Sequence, residues 1–375
     1  MKIVYAITYY SPHISGLTRG LVPIAEHMAA RGHAVTVICA RHDPELPAEE
    51  TVDGVRIVRV PVRVFLGKGP VMPGFFAACR REMRGAGIVH VVAPQADAAV
   101  AALAARSRGA RVVMSYVCSF AMAGAAGWVA TQAVRVSHVV AGVLARRIVA
   151  LSEDYASQSR FCGLFRRKLA FIPVPVPHYP PRALPWHPPA RPWRIGFAGR
   201  ISPDKNLDLL LEAVPHLRAL ADVPFGIEIA GPDEPAGTPG ADTLRGRLEA
   251  AEAAGVVRLL GRLDEASLDA FYRGVDVLVL PSTARIEAYG MVQVEAMLRG
   301  TPCVASDRPG MRLPVRETGF GCLFAPGDAR SLAEALYRVL AEGPPGGAPD
   351  PARLHDHFAP GRIMAALERL YSEGR

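Results

Sequence analysis

Short apolar runs alternate with longer amphipathic stretches along the whole chain. KIVYAI, AVTVICA, GVRIVRV, GIVHVV, RVVMSYV and RIVALS are rich in β-branched residues, and several are separated by segments of helical spacing such as GLTRGLVPIAEHMAARG. Runs that are apolar throughout predict strands buried on both faces, and their alternation with helices predicts βαβ units and a parallel sheet. The stretch PVPVPHYPPRALPWHPPARP then interrupts the rhythm with prolines that no helix or central strand tolerates. Beyond it the pattern restarts with RIGFAGR, FGIEIAG, VVRLLG, VDVLVLP, TPCVAS and GCLFAP. The chain is therefore expected to be α/β, with two Rossmann-like, doubly wound parallel-sheet domains facing across a cleft. The first spans 1–185, with a proline-rich hinge from about 173, and the second spans 186–358. RIMAALERL, within 359–375, reads as a terminal helix packing back on the first domain. Open parallel sheets bind ligands beyond the C-terminal ends of their strands, so the connections following the strands are where chemistry is sought.

Composition narrows the setting. With 375 residues, half of them hydrophobic, the chain exceeds one comfortable core. Cys39, Cys79, Cys118, Cys162, Cys303 and Cys322 lie far apart with no C-x-x-C pair, which argues against a disulfide framework or a zinc knuckle. MKIVYAITYY opens as a strand and lacks the ordered charged, apolar and small-residue segments of a secretory leader, so a reducing cytoplasm is expected. Val112 to Val134 carries no charge over a length able to span a bilayer. Its β-branched start reads instead as a buried strand, and Ser119, Thr131 and Gln132 interrupt the Ala/Gly-rich remainder.

Charge is unevenly divided. Up to Pro185 the chain holds 22 Lys/Arg against 10 Asp/Glu, and beyond it 21 against 25, within an overall +8. Arg80, Arg81 and Arg84 follow VMPGFFAAC, and Arg166, Arg167 and Lys168 follow FCGLF. Cations interleaved with apolar residues fit either a solvated basic face or peripheral contact with an anionic membrane. No nucleic-acid module accompanies them, so nucleic acid is not expected as a partner.

Candidate chemistry concentrates in IEAYGMVQVEAMLRG. Glu287 falls in the loop after the strand VDVLVLPS, Gly290 permits a tight turn, and Glu295 lies on the helix that follows. Backbone N–H groups around Tyr289, Gly290 and Met291 would then sit at a helix N-terminus, which favours a phosphate. On one continuous helix, Glu287 and Glu295 would stand about 80° apart, which suits two hydroxyl-bearing groups better than a shared metal. The alternative makes Glu287 an electrostatic cap and Glu295 a solvated helix residue. Arg200 and Lys205, in FAGRISPDKN, supply a guanidinium fork and a point charge before the next helix, a pairing suited to a diphosphate.

EAYGMVQVEAMLRGTP resembles the E-x(7)-E signature of family-four glycosyltransferases, the GT-B-fold group also labelled glycosyl transferases group 1. GRISPDKN is similar to that family's arginine and lysine motif, and ASDRPGMRLPV with FAPGDARSLAEAL to its closing strand and helix. The likeness extends from YYSPHISG to PGD. It implies a retaining, metal-independent transfer from a UDP- or GDP-type sugar to a glycan, lipid-linked or small-molecule hydroxyl in bacterial cell-surface assembly. No cofactor is implied, and no D-x-D triplet occurs. Glu287 would face the sugar, Arg200 and Lys205 the diphosphate, and Glu295 the ribose. Ala288, Tyr289, Gly290, Met291 and Val292 would frame the phosphate turn, backbone from Arg258 to Gly261 the base, and Gly16 the close approach of diphosphate or acceptor.

The chain departs from the family in one place. Where relatives carry a T-Y-H-like triplet, this sequence reads Ser115-Tyr116-Val117-Cys118, with Val117 in place of the histidine. A donor lacking the corresponding hydroxyl, a shifted substitute, or a non-catalytic binding relative or partner subunit would each account for it. His90 is a candidate substitute with catalytic potential, against the commoner reading of a hydrogen-bonded core histidine. His13 and Ser15, in SPHISG, join Ser115, Val117 and Cys118 on the expected acceptor or sugar side. A nucleotide-sugar epimerase of the same fold is a further alternative. A nicotinamide enzyme is disfavoured, because the first βα turn reads SPHISGLTRG rather than G-x-G-x-x-G.

Overall fold

The computed structural model describes residues 1–67, 69–120, 124–176, 192–233, 240–284 and 286–373. Two compact units emerge: Met1–Pro175 with Pro360–Arg375, and Val176–Ala359. Most of the proline-rich hinge falls at 177–191, outside the described residues.

The first unit contains β1 (Lys2–Ala6), β2 (Ala34–Arg41), β3 (Glu49–Val52), β4 (Val55–Pro61), β5 (Val64–Leu66), β6 (Gly69–Val71), β7 (Ile88–Ala93), β8 (Arg111–Tyr116), β9 (Arg147–Ala150) and β10 (Leu169–Phe171). Eight of these form one sheet in the order β10-β9-β8-β7-β1-β2-β4-β3, and β5 pairs with β6 separately. All pairings in the large sheet are parallel except β3 with β4, an antiparallel edge that the apolar pattern does not announce because β3 has no buried residue. Strand alternation sends Ile3, Tyr5, Val37 and Val92 to one face, where Leu21 and Met28 of the helix Gly16–Ala30 and Leu367 and Tyr371 of the helix Pro360–Ser372 cover them. Val4, Ile38, Val89 and Val91 face the other way, under the helices Phe75–Glu82, Ala98–Arg106 and Gly124–Leu144.

Val112 to Val134 thus divides between β8 and the helix Gly124–Leu144. Among the described residues no helix is long and apolar enough to cross a membrane.

The second unit contains β11 (Trp193–Ala198), β12 (Phe225–Ala230), β13 (Val257–Gly261), β14 (Val277–Leu280), β15 (Cys303–Ser306) and β16 (Gly321–Phe324), all parallel, in the order β13-β12-β11-β14-β15-β16. Ile195, Phe197, Ile229, Val277 and Val304 pack with Leu210 of the helix Leu207–Leu220 and Leu332 of the helix Ala329–Tyr337. The chain winds outward through β12 and β13, then returns to the far side of β11 as β14. That reversal is a topological switch point, where the connections leaving two neighbouring strands diverge and open a crevice.

Candidate functional site

β11 and β14, the two strands at the switch point, deliver the charged residues singled out in the second unit. β11 runs into Gly199 at φ +147°, and β12 into Gly231 at φ +149°. A Cβ on Gly231 would stand 1.8 Å from the Gly199 carbonyl oxygen, so only glycine lets the two strand ends back onto each other. The loop so shaped carries Arg200, whose guanidinium lies 3.5 Å from Asp204. A single 3₁₀ turn, Pro203–Lys205, follows, and Asn206 at φ 55° leads into the next helix. Across the switch point, Ser282 at the end of β14 donates its buried hydroxyl to the Asp204 carbonyl at 2.7 Å. The turn bearing Lys205 is thereby tied to the loop bearing Glu287, and the Lys205 ammonium forms an ion pair with Glu287 Oε2.

Glu287 precedes the helix Met291–Met297, so the two glutamates do not share one helix and the 80° expectation does not apply. Gly290 caps that helix at φ 71°, and a Cβ there would meet Leu280 at 2.7 Å and the Gln293 amide at 2.5 Å. Ala288 and Tyr289 are buried, and Met291 and Val292 half-buried. Burial, with Glu317 nearby, raises the Tyr289 phenol pKa.

Glu295 is 3% exposed, which overturns the solvated reading. Tyr272 donates its hydroxyl to Glu295 Oε2 at 2.8 Å, and Arg299 donates to the Glu295 carbonyl at 2.9 Å. Arg299 stacks 5.0 Å over the Tyr272 ring and donates to Asp269 at 2.7 Å. Hydrogen bonds from Arg273 and Arg299 hold the Asp269 carboxyl at about 2, against burial. A polar side chain buried this deeply needs a hydrogen-bond partner, and the Tyr272 hydroxyl supplies one. On β13, Arg258 and Gly261 are exposed, and the Gly261 carbonyl accepts from the Gly231 N–H at 2.8 Å.

In the first unit His90 is a core histidine. It is 2% exposed, one ring nitrogen faces the Tyr371 hydroxyl and the other lies 2.8 Å from Ser115 Oγ, and burial lowers its pKa to about 3. Both nitrogens are engaged, which is the arrangement of the hydrogen-bonded core histidine that the sequence offered as the commoner reading. Ser15 is occupied locally, since its hydroxyl accepts from the Thr18 N–H at 3.2 Å and its own N–H donates to Thr18 Oγ1 at 2.7 Å, closing a capping box on the helix Gly16–Ala30. His13 stacks on Tyr9 with centroids 4.5 Å apart and meets His42 edge-on, and burial lowers its pKa. Gly16 has open space where a Cβ would be, Val117 is half-buried and Cys118 buried.

The basic clusters are partly consumed inside the unit. Lys168 donates to the carbonyls of Gly142, Val143 and Ala145 and so closes the C-terminus of the helix Gly124–Leu144, while Arg81 pairs with Glu82 and Glu49. Sequence patterns did not single out Ser282, Tyr272 or Arg299 either. Ser282 lies two residues past a strand and Arg299 sits four residues after Glu295, but only the fold shows what each reaches.

Two family models match the chain: Glycosyltransferase Family 4 over residues 14–179 and Glycosyl transferases group 1 over residues 186–354. The phosphatidyl-myo-inositol mannosyltransferase of Mycobacterium leprae is 36% identical over 149 residues, 38% of this chain, and the match spans only 36% of that relative's length. The GDP-mannose-dependent alpha-mannosyltransferase of Mycolicibacterium smegmatis is 28% identical over 364 residues, 91% of this chain and 89% of that one. The solved sucrose-phosphate synthase of Thermosynechococcus elongatus shares the fold, with a TM-score of 0.74 at 20% identity over 99% of this chain and 98% of that one.

Proposed function

The chain belongs to the family-four glycosyltransferases, the glycosyl transferases group 1, and on that premise we propose that it moves a sugar from a nucleoside-diphosphate donor to an acceptor hydroxyl with retention of configuration. The observation carrying this reading is the convergence of Arg200, Lys205 and Glu287 on the β11/β14 switch point, with Glu295 on the helix that follows. Crevices of this kind take nucleotides in open α/β sheets. Arg200 and Lys205 hold the diphosphate and stabilise charge on it as it leaves, which makes a metal unnecessary. Glu287 orients the sugar hydroxyls, and Glu295, steadied by Tyr272, serves the ribose. A leaving phosphate oxygen receives the acceptor proton, so the protein positions the reactants and supplies no nucleophile. Donors of the GDP-mannose type are the first to try, given the name of the relative matched along nearly its whole length.

The setting we propose is the cytoplasm, at the inner face of the cell membrane, with a lipid-linked, glycan or small-molecule acceptor. Peripheral contact is supported less by Arg166 to Lys168 than by the helix Gly124–Leu144. That helix leaves Trp128, Val129, Val136 and Val143 exposed beside Arg135, within a stretch from Ala98 to Ser152 that has no acidic residue.

The test is a thermal-shift screen of UDP- and GDP-sugars on the wild type, Arg200→Ala and Glu295→Gln, followed by acceptor-dependent release of nucleotide. A donor that stabilises the wild type alone, and is turned over with an acceptor, supports the reading. Stabilisation of all three alike removes the donor site, and binding without release under any acceptor leaves a binding relative in its place.

A further inference from the structure

A second switch point lies in the first unit, where β1 is flanked by β2 on one side and β7 on the other. Beside it is a partly enclosed cavity of about 50 Å³ lined by the helix Gly16–Ala30 from Gly16 to Ile24, by Val92, Val117 and Leu151 near the C-terminal ends of β7, β8 and β9, and by Val174. Gly20 lies against Val174, since a Cβ there would come within 2.6 Å of its methyl group. Apart from His90 and Ser115, every side chain on the wall is apolar.

His90 and Ser115 form a linked polar pair: one ring nitrogen of His90 faces the Tyr371 hydroxyl and the other lies 2.8 Å from Ser115 Oγ. A ligand meeting that pair needs a group able to donate or accept, as a hydroxyl does, joined to something apolar enough to displace water from the remaining wall.

We propose that this cavity is an acceptor subsite for a short alkyl group that adjoins a hydroxyl, the hydroxyl hydrogen-bonding to Ser115 and the alkyl carbons lying against Val92, Val117 and Leu151. This rests on the transferase reading and narrows its acceptor class. The size decides the group: about 50 Å³ is a third of the roughly 150 Å³ that holds benzene, so the enclosed part of the cavity takes a methyl to propyl group rather than an aromatic ring. A polyol such as a bare sugar or cyclitol leaves hydroxyls unpaired against an apolar wall and is excluded from the cavity.

The test is titration of the full chain, without nucleotide, with methyl, ethyl, propyl and hexyl glucosides below their micellar concentrations, using glucose and myo-inositol as polyol controls. The readout is the methyl NMR signals of Ile24, Ile172 and Leu151. Affinity is expected to rise about fourfold per methylene through propyl and then level off. Val117→Phe, which fills the cavity, abolishes the trend, as does Leu151→Phe as a second variant where the first fails to fold. Equal binding of polyols, a rise continuing undiminished to hexyl, or unchanged titration of a folded filled variant overturns the assignment. Because nucleotide is absent, a failed donor site leaves this result unaffected, and a failed titration leaves the donor screen intact.

Discussion

The Lys205 ammonium and the Glu287 carboxylate, 82 positions apart in the chain, neutralise each other where β11 and β14 diverge, with side chains 19% and 16% exposed. In the absence of donor, Glu287 occupies the cation that the proposed mechanism assigns to a phosphate. A nucleoside diphosphate must compete for Lys205, whereas a whole nucleotide sugar gives Glu287 hydroxyls in exchange. Glu287→Gln should therefore bind the bare nucleoside diphosphate about threefold more tightly, in keeping with the ~0.7 kcal/mol of a partly screened pair. It should also slow sugar transfer. Isothermal titration alongside turnover checks both directions, and a loss of affinity for both ligands would contradict the exchange.

Lys205→Ala removes the cation that pairs with Glu287. Turnover should fall about 10²- to 10³-fold, the usual cost of deleting one charge-stabilising donor, and stability by about 1–3 kcal/mol. The double variant Lys205→Ala/Glu287→Ala should be less destabilised than the two single changes predict together, which urea unfolding measures as a coupling energy.

Glu295 separates structural from ligand roles. Glu295→Gln keeps an acceptor for the Tyr272 hydroxyl and should remain folded, whereas Glu295→Ala removes that acceptor from a buried hydroxyl and should cost about 1–3 kcal/mol. Both variants should weaken binding of a ribonucleotide. Undiminished nucleotide affinity in a folded Glu295→Gln variant would remove the ribose role.

Acid sensitivity follows from two buried histidines. Burial lowers the pKa of His90 to about 3 and of His138 to about 4, while both rings titrate near 6.5 in an unfolded chain. Between pH 6.5 and about 4 the unfolded chain holds protons that the native chain does not, so stability rises with pH there and is fully present above 6.5. On acidification through that window the two rings together cost up to about 2.7 kcal/mol per pH unit. Urea unfolding at pH 7 and pH 5 measures the slope, and His90→Gln should roughly halve the histidine share.

Two glycines provide opposite controls. Gly231→Ala forces a Cβ against the Gly199 carbonyl at positive φ and should abolish the folded state or the donor loop. Gly246→Ala lies mid-helix with nothing near its Cβ and should stabilise the chain by about 0.5–1 kcal/mol, read as a rise in Tm.

The parallel strands were legible because apolar, largely β-branched residues dominate them, and a run such as VDVLVLP has few other ways to be buried. β3, with no buried residue, had no such signature. The same limit governs the site. Lys205 and Glu287 could be named from residue type and position after a strand, but not their mutual ion pair, because strand order is a property of the whole sheet. Glu295 looked exposed on a seven-residue helix until Tyr272 and Arg299, from other turns, enclosed it. His90 was indistinguishable from a reactive histidine because its partners, Ser115 and Tyr371, are remote in sequence.

Pro360–Arg375 belongs to the first unit although the whole second unit separates it from Pro175. During synthesis, Tyr5 and His90 emerge early yet must wait for Tyr371, so the first unit keeps an unfinished apolar face while the second is being translated. Expressing residues 1–175 alone should give an aggregation-prone fragment. Supplying the final helix in tandem, through a short flexible tether after Pro175, is the practical route to an autonomous first unit.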